Sequence, residues 1–391
     1  MKVMILAAGK GTRVWPVTKV TPKPMIPILR KPIMESLIDH FKSYGVKEFV
    51  VNTSYMSSSI ENYFRDGTTL GVDITYSFEG KIVDNKLESA ALGSAGGMKK
   101  IQEFSGFFDD TFMVVCGDAW IDLDVKKVCD FHKKKGGVAT IVLQDVEPEE
   151  VHKYGVVKIG DDGQILQFQE KPDREEAISN SVNTGIYIFE PDIFNYIPKD
   201  EEFDIGSQLF PLLVQEDVPF YGISSPFQWV DVGNLTDIWQ ATRDILTDKI
   251  TGYPKPGREV RPGVWCGINL DIDFDKVDIT GPICIGNGTR IEDGAVIKGP
   301  AMIGANCIIE KGAVIEECLI DDYTWVSSVV ELSGKVLFGG HCINQSGDYV
   351  DMNEWDIGWA INDSRCNIEE LQANSQLLEA LQSVNVKDSE D

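Results

Sequence analysis

Apolar positions along the first 245 residues follow two alternating patterns. Apolar runs at 2–8, 47–52, 72–76 and 112–116 predict strands. Between them lie amphipathic stretches. In residues 33–44 the spacing puts Ile33, Leu37, Ile38 and Phe41 on one helical face, and Gly45 ends the run. Strand–helix alternation predicts an α/β domain with a mostly parallel sheet covered by helices. Ligands of such sheets sit beyond the carboxyl ends of the strands. The loop L-A-A-G-K-G-T-R, residues 6–13, occupies that place on the first strand.

A second periodicity begins after Tyr253-Pro254-Lys255-Pro256-Gly257. Ile279, Ile285, Ile291, Ile297, Ile303, Ile309 and Ile315 fall six residues apart, and Pro282, Gly288, Gly294, Pro300, Asn306 and Gly312 follow the first six by three positions. A helix cannot hold a period of six with Pro and Gly in every repeat. A parallel β-helix can, with each hexad a short strand and a turn and isoleucine filling the axis. The phase breaks at Asp321 and resumes at Ile320, Val326, Leu332 and Phe338. This pattern resembles the left-handed hexapeptide-repeat helix and predicts about three coils. Three regions are expected: a first domain over 1–250, a β-helix over 251–366, and a C-terminal amphipathic helix with an acidic tail over 367–391.

Composition narrows the classes. The chain has 391 residues, 43 % hydrophobic and 25 % charged, as in an ordinary globular protein. A net charge of −26 with no basic block argues against a nucleic-acid groove or an anionic membrane surface. Met1 opens directly on the first strand, without the charged start and cleavage site of a signal peptide, and no apolar run reaches membrane-spanning length. The eight cysteines are scattered, without a C-x-x-C. That fits reduced thiols, so a cytoplasmic setting is expected. The four histidines are isolated, which argues against a histidine metal site.

Three readings compete for residues 6–13. A dinucleotide motif needs a third glycine where Val14 stands, and a P-loop needs an upstream glycine that is missing. The third reading is a backbone N–H cradle for phosphate, with Arg13 and Lys23 adding charge. A plain tight turn with surface cations is the bland alternative.

The longer stretch L-A-A-G-K-G-T-R-V-W-P-V-T-K-V-T-P-K-P-M-I-P-I resembles the signature of nucleoside-diphosphate-sugar pyrophosphorylases, also called sugar-1-phosphate nucleotidylyltransferases. The resemblance continues at L-G-S-A-G-G (92–97), V-V-C-G-D (114–118), Y-G-V-V (154–157), E-K-P (170–172), N-T-G-I-Y (183–187) and W-V-D-V-G (229–233). With the hexapeptide domain, it is similar to the GDP-mannose and ADP-glucose branches. It implies a Rossmann-like nucleotidyltransferase domain followed by a left-handed parallel β-helix. The implied reaction joins a nucleoside triphosphate (NTP) to a hexose 1-phosphate with release of pyrophosphate. No protein nucleophile is needed, so positioning and charge neutralisation carry the catalysis.

The resemblance also assigns residues. Asp118 and Asp231, each ending an apolar run, match the family's Mg²⁺ ligands. Arg13 and Lys23 would contact the triphosphate. Leu6, Ala7, Ala8, Gly9, Gly11, Thr12, Glu88 and Gly93 would line the nucleotide site. Gly155, Glu170, Lys171 and Asn183 would hold the sugar phosphate.

The base is less legible. Uridylyl- and thymidylyl-transferases of the family usually carry a Gln just before the second glycine loop, where this chain has Glu88 and no Gln. A carboxylate suits the N–H donors of guanine, so GTP with mannose 1-phosphate is the leading expectation. The alternative is UTP with glucose 1-phosphate, from close resemblance to a cyanobacterial group that makes UDP-glucose. A further alternative is a non-catalytic regulatory subunit, but such subunits typically lose a basic or metal residue that is present here. A hexapeptide acyltransferase would need a catalytic histidine, and only His341 falls in this region, past the last regular repeat. Stacked β-helix surfaces commonly join copies, so a homo-oligomer is expected.

Overall fold

A computed structural model describes residues 1–84, 86–355 and 357–366; the helix and tail expected over 367–391 lie outside the described residues. Packing divides the chain into two units. The first comprises Met1–Gly11, Thr21–Ile26 and Pro32–Asp231; the second comprises Thr12–Val20, Pro27–Lys31 and Val232–Asp391. Two short N-terminal segments thus group with the C-terminal unit, whose main run starts at Val232.

The first unit is built on a nine-stranded sheet. Its strands are β1 (Lys2–Ala7), β2 (Glu48–Thr53), β3 (Asp73–Phe78), β4 (Phe112–Cys116), β5 (Ala139–Asp145), β6 (Gly155–Ile159), β7 (Ile165–Glu170), β8 (Ser181–Phe189) and β9 (Tyr221–Ser224). The order is β7-β6-β8-β4-β1-β2-β3, with β5 pairing both β8 and β9. The strands β4, β1, β2 and β3 run parallel, in registers such as Val3↔Phe49 and Ile5↔Val115. β8 enters antiparallel between β4 and β5.

Alternation along β1 feeds both faces of the sheet. Val3 and Ile5 join one apolar cluster, and Met4 joins the other. Helix α1 (Ile33–Ser43) buries Ile33, Leu37, Ile38 and Phe41, the face its sequence predicts. Helices α2 (Ser57–Phe64), α3 (Gly93–Ser105) and α4 (Val125–Lys135) complete the main covering layers. Asp124 caps α4 by accepting from the Lys127 amide at 3.0 Å.

The second unit is a parallel β-helix of three sheets. Its axis is filled by the isoleucine series: Ile285↔Ile303, Ile291↔Ile309 and Ile297↔Ile315 stand in register one coil apart. Ile297, Ile303, Ile309 and Ile315 are wholly buried. Two sheets stack four parallel rungs and the third stacks five, so the helix is about one coil longer than expected. The pattern also misplaces its last member. Ile320 stands in register with Leu337, which is buried, while Phe338 is only partly so. Like the step from Ile303 to Ile320, the step between those rungs is one residue shorter than the coil from Ile285 to Ile303, which moves the inward position from 338 to 337.

Helix Leu235–Leu246 belongs to this unit. The Trp239 indole donates to the Glu317 carbonyl at 3.1 Å, and Arg243 pairs with the Glu317 carboxylate at 3.4 Å. All eight cysteines are unpaired thiols. Among the described residues no helix is long and apolar enough to cross a membrane.

Candidate active site

Sheet order decides which of the expected residues meet. β1 lies between β2 and β4, so the loop after β1 opens beside the carboxyl ends of both neighbours. Gly117 follows β4, and its amide donates to the Leu6 carbonyl at 2.9 Å. A Cβ at Gly117 would stand 2.9 Å from that carbonyl and 3.6 Å from the Pro24 side chain. Glycine therefore lets the V-V-C-G-D turn lie against the P-K-P segment.

That approach carries Lys23 to Asp118. Its ammonium bonds the Asp118 carboxylate in a largely enclosed pair. Asp231 lies on a short ribbon, Ala119–Ile121 against Trp229–Asp231, in which its register partner is Ala119, the residue after Asp118. Two carboxylates thus share one end of the ribbon. Burial pulls the Lys23 ammonium down, but the charges of Asp118 and Asp231 and the bond to Asp118 outweigh it and hold the pKa above its usual value. Behind them burial raises the Cys116 thiol, helped by the same two carboxylates, so it stays protonated.

The ammonium seated by this pair marks a place where positive charge is favoured. Hard oxygen ligands of this kind suit Mg²⁺. Among the described residues no three His, Cys, Asp or Glu side chains form a metal cage. The pair fits an ion that takes one or two carboxylates and completes its shell with water and substrate phosphates.

A second cluster gathers the sugar-phosphate candidates. Gly155 stands in register with Glu170, and a Cβ there would lie 3.0 Å from the Glu170 carboxylate. Lys171 pairs with Glu170 at 3.2 Å, and its amide donates to the Tyr154 carbonyl at 3.1 Å. Its φ is 45°, the left-handed region that side chains with a Cβ seldom occupy. Asn183 donates to the Tyr187 hydroxyl at 3.0 Å and accepts from the Gly185 amide at 2.9 Å. Gly185, at φ 75°, faces Cys116, whose sulfur would be 2.6 Å from an added Cβ. The Tyr154 and Trp229 rings, 5.1 Å apart, link this cluster to the ribbon that carries Asp231.

The nucleotide candidates separate. Leu6 and Ala7 end β1; Ala8, Gly9 and Gly11 follow in the loop, with Gly11 at φ 61°. Thr12 and Arg13 fall in the segment that groups with the C-terminal unit, and both are exposed. Gly93, at φ 72°, opens α3, and a Cβ there would strike the Phe203 backbone at 2.5 Å. Glu88 is exposed on an outer hairpin, 80–83 against 86–89, opposite Lys81.

The carboxylate that reaches the two loops is Glu79, which the motif reading misses together with Asn52. Asn52 accepts from the Ala7 amide at 2.7 Å and donates to Glu79 at 2.7 Å; the other Glu79 oxygen accepts from the Leu92 amide at 3.0 Å. One signal was available. Both are polar residues at the carboxyl ends of apolar parallel strands, where ligands of such sheets gather.

The sequence profile of the nucleotidyl transferase family matches residues 2–248, and that of the bacterial transferase hexapeptide repeat matches 285–317. The chain belongs to the nucleotidyl transferase family. It is a sugar-1-phosphate nucleotidyltransferase with a hexapeptide β-helix. A UTP–glucose-1-phosphate uridylyltransferase of Synechocystis is 51 % identical over 93 % of this chain and 94 % of its own. Mannose-1-phosphate guanylyltransferases are more distant. The one from Mycobacterium tuberculosis is 29 % identical over 75 % of this chain and 79 % of its own.

Among solved structures, one described as a glucose-1-phosphate thymidylyltransferase from Bacillus anthracis aligns with a TM-score of 0.55 at 24 % identity. It covers 65 % of this chain and 98 % of that one, and shows the shared fold. Enzymes of this family take an NTP and a sugar 1-phosphate. The sequence-based preference for GTP and mannose 1-phosphate yields to its alternative. The high identity lies with the uridylyltransferase, and the Glu88 on which that preference rested is exposed on an outer hairpin.

Proposed function

We propose that this enzyme joins UTP to glucose 1-phosphate, forming UDP-glucose and pyrophosphate. The observation that carries the substrate pair is the 51 % identity to a uridylyltransferase along nearly the whole of both chains.

A sugar-phosphate oxygen attacks the α-phosphorus of the NTP, the bond from that phosphorus to the bridging oxygen breaks, and pyrophosphate leaves. Two polyanions must meet, so cations have to be in place beforehand. Lys23 is such a cation: it is held charged through the neutral range and aimed by Asp118. Arg13, from the same motif, supplies a second charge for the triphosphate. The backbone of Leu6–Gly11 offers N–H groups to the phosphates, and glycine at 9, 11 and 93 lets the chain approach closely. Thr12, beside Gly11 in the motif, completes this set.

Lys171, constrained beside Glu170, neutralises the sugar phosphate. Glu170, Asn183 and the Gly155 amide bond the sugar hydroxyls. Asp118 and Asp231 are the groups that would hold Mg²⁺, which, when bound, neutralises phosphate charge as the leaving group departs. Unpaired thiols support a reducing, cytoplasmic setting. The β-helix supports assembly into a homo-oligomer, and a monomeric mass in solution would overturn that part.

The test is pyrophosphate release with Mg²⁺ across UTP, GTP, ATP and dTTP, each with glucose 1-phosphate and mannose 1-phosphate. A maximum for UTP with glucose 1-phosphate is expected. A maximum for GTP with mannose 1-phosphate would overturn the substrate pair and leave the phosphate chemistry standing.

A further inference from the structure

A chain of three hydrogen bonds crosses the first unit from β1 to the start of α3. The Ala7 amide donates to Asn52 Oδ1 at 2.7 Å, Asn52 Nδ2 donates to Glu79 Oε1 at 2.7 Å, and the Leu92 amide donates to Glu79 Oε2 at 3.0 Å. Its ends lie at two backbone stretches that carry nucleotide candidates: Ala7 is one of them, and Leu92 directly precedes Gly93. Its middle is closed from solvent: Asn52 is 3 % exposed and Glu79 is 1 % exposed.

Every direction in this chain is forced. The Ala7 amide is a donor, so the Asn52 oxygen must face it and the Asn52 nitrogen must face Glu79. Leu92 also presents a donor. The residue between them must therefore accept on both sides, which an ionised carboxylate does and an amide cannot. The Glu79 main chain is fixed as well. Its amide donates to the Thr53 carbonyl at 2.7 Å, and its carbonyl accepts from the Ser54 hydroxyl at 2.6 Å and the Ala90 amide at 3.2 Å.

Gly97 makes room, because a Cβ there would collide with Glu79 Oε1. Burying a carboxylate is costly, and an apolar side chain of similar volume would serve a purely structural core better. The cost shows in the Glu79 carboxyl, which burial raises above its usual range against the bonds from Leu92 and Asn52.

We propose that Asn52 and Glu79 are positioning residues that fix the spacing between the two backbone loops of the nucleotide site. They touch no reacting atom and act through Ala7 and Leu92. This rests on the nucleotide-site reading of those loops. The spacing sets how well both loops engage the nucleotide at once, and it leaves the sugar-phosphate cluster on β6, β7 and β8 untouched.

The bond directions supply a test in the full-length protein. In Glu79→Gln the amide must turn a donor toward either Asn52 or the Leu92 amide, so one buried bond is lost. In Asn52→Asp two carboxylates face each other. The double variant Asn52→Asp/Glu79→Gln restores every bond. The new carboxylate at position 52 accepts from Ala7 and from the new amide at position 79. The amide oxygen at 79 accepts from Leu92, and the net charge matches the parent.

Each single variant is expected to raise KM for the nucleotide about tenfold or more, as losing a buried hydrogen bond does. KM for the sugar phosphate should stay within about twofold, and the double variant should return nucleotide KM to within about threefold of the parent. Unchanged nucleotide KM in the single variants would overturn the proposal. So would a double variant that regains melting temperature but not nucleotide KM, since that separates a structural role from a positioning one. If the single variants do not fold, the double variant decides by the same criterion. Titration calorimetry with UTP and with GTP on the parent reads nucleotide binding without turnover. A parent that binds neither fails the functional reading, whereas a parent that binds one with the variants unaffected fails only this inference.

Discussion

The ammonium of Lys23 is bonded to the carboxylate of Asp118, although the two stand 95 positions apart in the chain. Asp231 joins their field from the far strand of a two-stranded ribbon. On the proposed mechanism, a cation paired with two carboxylates before substrate arrives would leave little reorganisation for the chemical step.

Removing a charge from this trio should cost rate more than stability. Asp118→Asn and Lys23→Met are each expected to lower kcat by about 100-fold or more, the loss seen when one preorganised electrostatic group is removed. Chelation of divalent ions should abolish turnover in the parent, and added Mg²⁺ should restore it. Steady-state pyrophosphate release checks both. Full activity of Asp118→Asn would remove that residue from the site.

The Lys23 pair also has a pH signature. The folded pKa of Lys23 lies above its ordinary 10.5, so its stabilisation is fully present below 10.5 and is lost as pH rises through the higher folded value. Through the neutral and mildly alkaline range this residue should therefore add no pH dependence to stability. Denaturant unfolding above pH 10.5 should show a steeper alkaline loss in the parent than in Lys23→Met. Equal alkaline slopes would contradict the linkage.

Gly97→Ala inverts a general rule. In a helix this change usually stabilises by about 0.5–1 kcal/mol. Here the new Cβ meets the pinned Glu79 carboxylate and stands 3.3 Å from the Asn52 amide. A lower melting temperature together with weaker nucleotide binding is expected, read by thermal unfolding and by UTP titration. A more stable protein with unchanged binding would show that the network yields freely.

Lys171→Ala should raise KM for the sugar 1-phosphate about tenfold, the loss of one charge-assisted phosphate contact, with nucleotide KM nearly unchanged. The backbone should welcome Lys171→Gly better than Lys171→Ala, because φ 45° strains any side chain with a Cβ. Melting temperatures of the two variants test that ranking.

Ile309 is wholly buried on the β-helix axis and stacked between Ile291 and Val326. Ile309→Ala is expected to cost about 2–5 kcal/mol through lost burial and the cavity left behind. Chemical denaturation measures it, and a loss below about 1 kcal/mol would show that the axis collapses around the gap.

Much of the architecture was legible because its physics is local. Strand and helix periods along 2–116 place β1, α1 and β4 to within a residue or two, since burial on one face repeats every two or 3.6 positions. The hexads foretell coil register from Ile285 to Val326, with the one-residue phase break near Asp321 already visible in the spacing. They follow the first shortened coil, Ile303 to Ile320, but miss that the next is equally short, which makes Leu337, not Phe338, the inward residue. Motif spacing also brought out Lys23, Asp118 and Asp231, which the fold gathers.

Tertiary structure alone decided the rest. Which carboxylate bonds the Leu92 amide and, through Asn52, the Ala7 amide depends on β2 and β3 lying beside β1, so Glu79 is held there while Glu88 sits exposed on a hairpin. The membership of 12–20 and 27–31 in the C-terminal unit, with the Tyr253 hydroxyl donating to the Ile28 carbonyl at 2.8 Å, is a long-range packing outcome with no periodic trace. Periodicity records which face of an element is buried. It carries no record of which distant donor a buried acceptor will meet, and that pairing is set only when the strands come together.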